Sequence, residues 1–525
     1  MSTTTLPRQS AGLIAGKPAV WRHAAKSYQA TEAATGALLP GHFFEAEDEQ
    51  IDAAAEAARE AFRILRQTSA AQRAGLLEQV ATGMRARQAE ILERCGQETG
   101  YLPARVAGEF ERAVSQLHLF ARLAERSVWD RRQIDPADPD RQPLPRPEMR
   151  RRLVPIGPVA VFGACNFPLA ISVLGNDFVA AIAVGCPVIV KSHPGHPGTC
   201  ELLGQVAAQA VAASGLPPGT FSLLHGRQPE TSLRLVQHPH IAAVGFTGSP
   251  GGGRALAEAV LRRRYPIPMF AELGSTNPVF IAPQAATANA ASVAAGFVAS
   301  LRFGNGQMCT KPGVLVVRED RSEALQVAAI EAMRRAEPLP LLNADVTTAF
   351  DAGVRQLLQH PGVDALHFDD PRNPSTWHRG PHWFSVTADR AIADDLLHQE
   401  TFGPVSLLVR CRDDEQMLEV AKHFHGSLTT TLHTAAGDEP FGQRWLPIAE
   451  GFAGRILFNG WPTGMEIGPA TQHGGPYPAS LDSRSTSVGY ASLERFVRPV
   501  CYQNWPPKPL QATGDWSHAD RPVSP

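Results

Sequence analysis

The chain has no charge of one sign to spare, few cysteines for its length and no long apolar run. Its 49 Lys and Arg stand against 51 Asp and Glu, a formal net charge of -2. That balance leaves no surplus to hold nucleic acid or an anionic membrane surface, and a small-molecule partner is expected instead. Seven cysteines in 525 residues, Cys95, Cys165, Cys186, Cys200, Cys309, Cys411 and Cys501, are odd in number and show no CxxC or other paired spacing. A disulfide framework and a zinc site are thereby excluded, and no metal is predicted. No stretch approaches about 18 uninterrupted apolar residues, which excludes a spanning helix. The stretch MSTTTLPRQSAGLIAGKPAV lacks a basic start followed by a continuous apolar segment, so no secretory signal is predicted. The expected compartment is a reducing cytoplasm, where a free thiol stays usable.

What is present is a loop-rich globular composition: 43% hydrophobic, 19% charged, with 45 Gly and 44 Pro. The length exceeds what one core organises, so two or three domains are expected. Residues 48–65 (DEQIDAAAEAAREAFRIL) place Ile51, Ala55, Ala58, Phe62 and Leu65 at spacings of four and three, which predicts an amphipathic helix. Helix-like sequence continues to about residue 127. The stretch 134–147 (IDPADPDRQPLPRP) is too rich in proline for a helix and reads as an extended connector. From residue 156 short β-branched runs (GPVAVFG, PVIVKS, FSLLHG, IAAVGFTG, PMFAELG) alternate with helical segments such as 199–214. That alternation predicts βαβ units in a parallel sheet of dinucleotide-binding type. A second α/β series begins at NPVFIA (277–282) and runs through GVLVV, PVSLLV and RILFNG, which predicts a second α/β domain from about residue 272.

Three stretches carry chemistry. The first strand of the parallel series runs into VFGACNFPLA without a GxGxxG signature, so a plain Rossmann reading fails there. The fourth instead leads into FTGSPGGGRALAEAVL (246–261), where small residues open a helix; free N–H groups and the helix dipole suit a pyrophosphate, and an ordinary glycine-rich turn fits the same residues. Glu272, in AELGSTNP (271–278), sits between apolar residues at a strand end. Desolvation should raise its pKa toward the range useful to a general base; a partly exposed strand-end glutamate in a salt bridge, without a catalytic role, is the competing reading. Cys309, in GQMCTKPG (306–313), follows a flexible glycine turn where N–H groups can approach both the sulfur and a neighbouring oxyanion. A buried apolar filler is the competing reading for Cys309, and it is the one expected for the other six cysteines.

Taken together these stretches resemble the aldehyde dehydrogenase superfamily from about Gly12 to Pro506. The motifs come in family order: CNFP (165–168), VIVKSH (188–193), FTGS (246–249), AELG (271–274), GQMC (306–309) and ETFGPV (400–405). KSHPGHPGTCE, the DRQPLPRP connector and the stretch from GRILFNG to RFVRPVCYQN are similar to the α-ketoglutarate semialdehyde (2,5-dioxovalerate) dehydrogenase branch, itself similar to NADP-using fatty aldehyde dehydrogenases. The resemblance implies that Cys309 attacks the aldehyde carbon, that Asn166 and the Cys309 N–H hold the resulting oxyanion, and that Glu272 activates the water that releases the acid. It implies cofactor contacts from Lys191, His193, Thr247, Gly248, Ser249, Gly253, Glu400 and Phe402. Pro194 stands where NAD-using relatives carry a ribose-binding glutamate, so NADP is expected, with NAD possible.

The implied fold is α/β: a Rossmann-type parallel-sheet cofactor domain (1–139 and 158–271), an α/β catalytic domain (272–490) whose C-terminal part can return to the cofactor domain, a β oligomerisation arm (140–157 and 491–505) and a flexible tail (506–525). A homodimer or homotetramer is implied with it. The expected reaction is NAD(P)-dependent oxidation of an aldehyde through a cysteine thiohemiacetal and thioester, with α-ketoglutarate semialdehyde as substrate. Fatty or aromatic aldehydes, transfer of the thioester to coenzyme A and a cysteine-dependent esterase are the competing readings. Arg302 is read as a solvated helix residue, with a hold on the substrate's distal carboxylate as its sharper alternative. Phe167, Phe303, Trp461, Glu466 and His473 are candidates for the substrate channel or for packing.

Overall fold

Residues Asp48–Leu65 form a helix whose buried face is Ile51, Ala54, Ala55, Ala58, Ala61 and Leu65, the stripe that 3.6-residue periodicity requires. Phe62 is half-buried at its edge. Its start is fixed by a capping box in which Gln50 Oε1 accepts from the Glu47 N–H at 2.9 Å. The computed structural model of the chain describes residues 9–21, 26–369 and 376–506 together with Trp516 and Ala519. Three more helices, Ala70–Ala86, Gln88–Thr99 and Pro103–Glu125, follow and pack on the first large sheet.

That sheet has seven strands in the order Met269–Glu272, Ala243–Thr247, Val159–Phe162, Val188–Lys191, Phe221–Leu224, Gly12–Ile14, Lys17–Pro18. The first five pair in parallel, and the two short N-terminal strands close the edge antiparallel. Chain order reverses beside Val159–Phe162, and a crevice opens beyond the strand ends at such a switch point. The chain passes to the second sheet between Glu272 and Val279. This sheet runs Val363–His367, His382–Thr387, Val405–Cys411, Val314–Arg318, Val279–Ile281, Ser427–His433, Ala453–Phe458, all parallel except its first edge strand.

The proline-rich connector is not wholly irregular. Gln133–Asp135 pairs with Met149–Pro155, which pairs in turn with Val497–Gln503 in a three-stranded antiparallel sheet. The tail 506–525 lies outside the described residues save Pro506, Trp516 and Ala519; the Trp516 ring lies under the guanidinium of Arg132 at 5.1 Å and of Arg150 at 5.7 Å. Of the six cysteines expected to be fillers, Cys95, Cys186, Cys200 and Cys411 are buried, Cys165 is half-buried, and Cys501 is exposed on the antiparallel sheet. Among the described residues no helix is long and apolar enough to cross a membrane.

The C-terminal segment returns to the first sheet. Leu273 N–H donates to Ala479 O at 2.8 Å, and Leu481 N–H to Ala271 O at 3.0 Å, so the loop after residue 470 lies alongside the strand that ends in Glu272. Further on, Arg495 Nη1 meets Asp177 Oδ1 at 2.6 Å with both side chains buried. Removing one partner of such a pair strands the other charge, at a cost of about 3–5 kcal/mol. Asp177→Ala should therefore lower the apparent Tm by several degrees in differential scanning fluorimetry. A Tm equal to that of the parent would show that the pair does not anchor the returning segment.

Candidate active site

Three chain crossings meet between the two sheets. The loop after Val159–Phe162 brings in Asn166. Its backbone carbonyl accepts from Tyr101 Oη at 3.1 Å and Arg105 Nη2 at 3.2 Å, and its side-chain Nδ2 donates to Gln307 O at 2.9 Å. The passage between the sheets brings in Asn277, in the left-handed region at φ 49°, whose Nδ2 donates to Cys309 O at 2.8 Å and Lys311 O at 3.0 Å. The third crossing ends the helix Ala290–Arg302. Gly304, Asn305 and Gly306 are all left-handed, at φ 59°, 52° and 69°, and the chain turns sharply into Cys309. A Cβ on Gly306 would lie 2.3 Å from the Gly403 carbonyl, so the glycine lets the 400–405 loop close onto the cysteine turn.

Cys309 Sγ lies 3.5 Å from His473 Nε2, and that nitrogen lies 3.2 Å from Glu272 Oε1. The Ser487 hydroxyl donates to Glu272 Oε2 at 2.5 Å. Thr486 Oγ1 accepts from the His473 N–H at 2.8 Å, which fixes the loop carrying the imidazole. Ligand atoms of Glu272, Cys309 and His473 all fall within 4.8 Å of one another. The electrostatics correct the expectation for Glu272. Burial does push its carboxyl up, but the contacts with His473, Ser487 and Cys309 outweigh it and hold the group below the usual carboxylate range. Burial, with the negative charges of Glu272 and Glu400, pushes the Cys309 thiol well above its ordinary value. The resting pair is a protonated thiol beside a carboxylate anion. This arrangement can make a thiolate by proton transfer when a substrate is present, rather than store one.

A cavity of about 950 Å³ opens from Cys309, Asn166 and Glu272 and continues past Glu400 and Phe402 to Thr247, Gly248, Ser249 and His193. At its waist Glu400 accepts from Ser275 N–H through Oε2 at 3.3 Å, while its other oxygen is buried without a partner. Gly274 makes this possible, since a Cβ there would lie 2.6 Å from Glu400 Oε2. Burial raises the Glu400 carboxyl to about 7, and burial lowers Lys311, opposite it, to about 8. Lys311 Nζ donates to Thr401 O and Val405 O, each at 2.8 Å, so a buried cation holds the 400–405 loop in place. At the far end Ser249 Oγ caps the helix Pro250–Leu261 by accepting from Gly252 N–H at 3.2 Å. A helix start, small residues and an orphaned carboxylate oxygen together fit a dinucleotide: the helix start for its phosphates, Glu400 for a ribose hydroxyl.

Residues 21–351 match the family model described as aldehyde dehydrogenase family. The chain belongs to the aldehyde dehydrogenase family. It is 43% identical over 457 residues to alpha-ketoglutaric semialdehyde dehydrogenase 2 of Azospirillum brasilense, covering 87% of each chain. It is 40% identical over 466 residues to alpha-ketoglutaric semialdehyde dehydrogenase of Acinetobacter baylyi, covering 88% of each. Its fold matches that of a 1-pyrroline-5-carboxylate dehydrogenase from Thermus solved with bound NAD, with a TM-score of 0.80 and 22% identity over 95% of this chain and 93% of that one.

In this aldehyde dehydrogenase the expected cofactor residues His193, Thr247, Gly248, Ser249, Glu400 and Phe402 line the cavity, and Lys191 and Gly253 stand behind its wall. Lys191 is buried at its strand end and is not among the residues that line the cavity; burial lowers its ammonium to about 8. Gly253 also stands back from the cavity, and a Cβ there would strike Leu273 Cδ2 at 2.2 Å, so its role is close packing of helix on strand. Besides Lys311, the cavity is lined by the guanidinium of Arg227, half exposed and 3.6 Å from Asp345. Sequence reasoning missed it, although it stands three residues past the end of a predicted strand. Asn277 and Lys311 were missed as well, though each lies inside a stretch already singled out.

Arg302 donates to Glu337 O at 2.8 Å in an exposed contact and does not line the cavity, in keeping with a solvated helix residue. Trp461 packs on Phe297 and His433, against Gly296. Phe167 and Phe303 each face the guanidinium of Arg105, at 4.9 and 5.0 Å, and Glu466 is exposed. His473, named with these, is the one that touches the thiol.

If the Glu272 charge suppresses the thiolate, Glu272→Gln should lower the thiol pKa and speed alkylation. At pH 7 the iodoacetamide rate at the Cys309 peptide, followed by mass spectrometry, should rise about tenfold per unit of thiol pKa lost. An unchanged or slower rate would contradict that coupling.

Proposed function

We propose that this aldehyde dehydrogenase oxidises α-ketoglutarate semialdehyde to 2-oxoglutarate, with NADP as the preferred acceptor and NAD usable. The observation that carries the reading is the convergence of Cys309, Asn166 and Glu272 at one end of a cavity whose other end fits a dinucleotide. The two curated relatives at 43% and 40% identity supply the substrate.

In the proposed mechanism Cys309 gives up its proton to His473 Nε2, 3.5 Å away, as its sulfur bonds to the aldehyde carbon, so that Glu272 stays anionic. The carbonyl oxygen becomes an oxyanion. It is held by the Cys309 N–H and by the Asn166 N–H that is not already donated to Gln307 O. Such a donor is worth about 100- to 1,000-fold in rate. When bound, the nicotinamide supplies the acceptor for the hydride that leaves the former aldehyde carbon. Glu400 holds a ribose hydroxyl through its unpartnered oxygen, and Phe402 walls the same part of the cavity. Glu272, anionic at rest, then takes a proton from the water that cleaves the Cys309 thioester and frees the acid. An esterase would share Cys309 and Glu272 but would leave the Glu400 oxygen and the glycine-lined helix start without a task.

The NADP preference rests on Pro194, which brings no carboxylate to the cavity, and on Arg227, which brings a guanidinium suited to a phosphate. The antiparallel sheet of residues 133–135, 149–155 and 497–503 offers edges through which subunits would pair as a dimer or tetramer. A reducing cytoplasm suits the free thiols.

Two measurements test the reading. Cys309→Ala should abolish NADPH formation, while Glu272→Gln should give one burst of NADPH and then stall. Residual steady turnover in Cys309→Ala would remove the nucleophile. A panel of α-ketoglutarate semialdehyde, octanal and benzaldehyde should give the highest kcat/KM for the first, with NADP above NAD. Arg227→Ala should raise KM for NADP about tenfold and leave that for NAD nearly unchanged. A higher kcat/KM for octanal, or for NAD in the parent enzyme, would overturn the corresponding part.

A further inference from the structure

Two guanidinium groups outside the dinucleotide cavity, those of Arg112 and Arg455, have no acidic partner in hydrogen-bond contact among the described residues. Arg112, on the helix Pro103–Glu125, is half-buried, with its Nε shielded from solvent and without an acceptor. Its guanidinium lies over the ring of Phe167, 6.0 Å away, and among the described residues it has no hydrogen bond or ion pair. Arg455, on the strand Ala453–Phe458, donates to two neutral carbonyls, Gly464 O at 2.8 Å and Pro462 O at 2.7 Å, and its Nε is likewise buried without an acceptor. A desolvated cation without an anion is costly, and it is retained where an anion arrives.

Both lie close to the reacting sulfur. Phe167, under Arg112, follows Asn166, which is bonded to Gln307 O in the cysteine turn. Gly454, beside Arg455, is packed so tightly on Gly474 that a Cβ would lie 1.8 Å from its carbonyl oxygen, and His473 next to it touches Cys309. The charges of the two arginines act on Cys309 and on each other, and burial holds both below the ordinary arginine range while leaving them cationic. Neither lines the large cavity, so a substrate held by them lies outside the space that fits the dinucleotide.

The remaining charges there are committed elsewhere. Arg105 donates to Asn166 O at 3.2 Å and lies 3.9 Å from Glu109. Glu109 Oε1 accepts the Leu169 and Ala170 N–H groups at 2.9 and 3.0 Å, and burial raises its carboxyl. Glu466 is exposed at the mouth, and its charge reaches Arg112. Arg112 and Arg455 are thus left without an acidic partner in hydrogen-bond contact among the described residues.

We propose that Arg112 and Arg455 form a two-sided clamp for the carboxylate of the aldehyde's far end, making the enzyme selective for aldehydes that carry an acid. This deepens the substrate reading above and rests on it for the identity of the acid. A planar guanidinium binds carboxylate through paired N–H donors, and in an α-keto acid the adjacent ketone oxygen can take a further one. Glu466 at the mouth then acts against a second negative charge.

The test is steady-state kinetics with α-ketoglutarate semialdehyde, succinate semialdehyde and butanal on the parent enzyme, Arg112→Met and Arg455→Met. The parent should prefer both acids to butanal. Each variant should lose about 100-fold in kcat/KM for the two acids, mainly through KM, and far less for butanal. Arg112→Lys should recover part of the loss. Arg455→Met, on a separate sheet, carries the same expectation should Arg112→Met fail to fold. A parallel fall for all three aldehydes, no fall for any, or a parent that does not prefer the acids overturns the clamp. If the parent prefers succinate semialdehyde to α-ketoglutarate semialdehyde and the variants lose that preference, the clamp stands and the named substrate falls.

Discussion

The buried side chain of Asn277 is the point on which the site depends. Its amide donates to the carbonyls of Cys309 and Lys311, and its oxygen accepts from Ser275 Oγ at 2.8 Å and from the backbone and hydroxyl of Thr429. One residue thus satisfies polar groups from the passage between the sheets, the cysteine segment and a strand of the second sheet. Those groups are out of reach of water, so each left unpaired would cost about 1–3 kcal/mol. The left-handed backbone at Asn277 is the local cost of placing the amide there, and asparagine tolerates that region better than most residues. With the Cys309 carbonyl held on one side and Gly306 pressed on Gly403 on the other, the thiol has little freedom of position.

Around this fixed sulfur the ionisable groups restrain one another. Glu272 stays anionic because His473, Ser487 and Cys309 hold its charge, and that same charge keeps the thiol protonated. Lys311 and Glu400 form a second balanced set, each displaced by burial in the direction that disfavours its charge. A free thiolate in an open cleft would invite oxidation and alkylation. A thiol that ionises only by passing its proton to His473 avoids this, and it leaves Glu272 anionic beside the sulfur.

The motif order, the helix at 48–65 and the two α/β series were legible because each depends on local spacing. The polarity of the Glu272 shift was not. It depends on residues 473 and 487, some two hundred positions further along, and their approach to the strand becomes apparent only from the backbone bonds to Ala479 and Leu481. Which residues of a motif line the cavity is likewise set by strand register and helix packing, which a motif does not encode. Arg227 lies outside every motif considered, and only the folded cavity joins it to His193 and Pro194.

The helix Pro103–Glu125 shows how much chemistry a stretch without motifs can carry. Arg105, Glu109 and Arg112 recur at four and three residues and so share one face. Arg105 holds the Asn166 carbonyl, and Glu109 holds the N–H groups of Leu169 and Ala170, so a single helix face fixes both ends of the loop that carries Asn166. Arg112, one step further along the same face, has no protein group left to hold. A face whose first two charged positions are spent on backbone and whose third is unspent and desolvated is organised around something that arrives from outside. Its place beside Phe167, next to the Asn166 donor, makes that arrival the aldehyde.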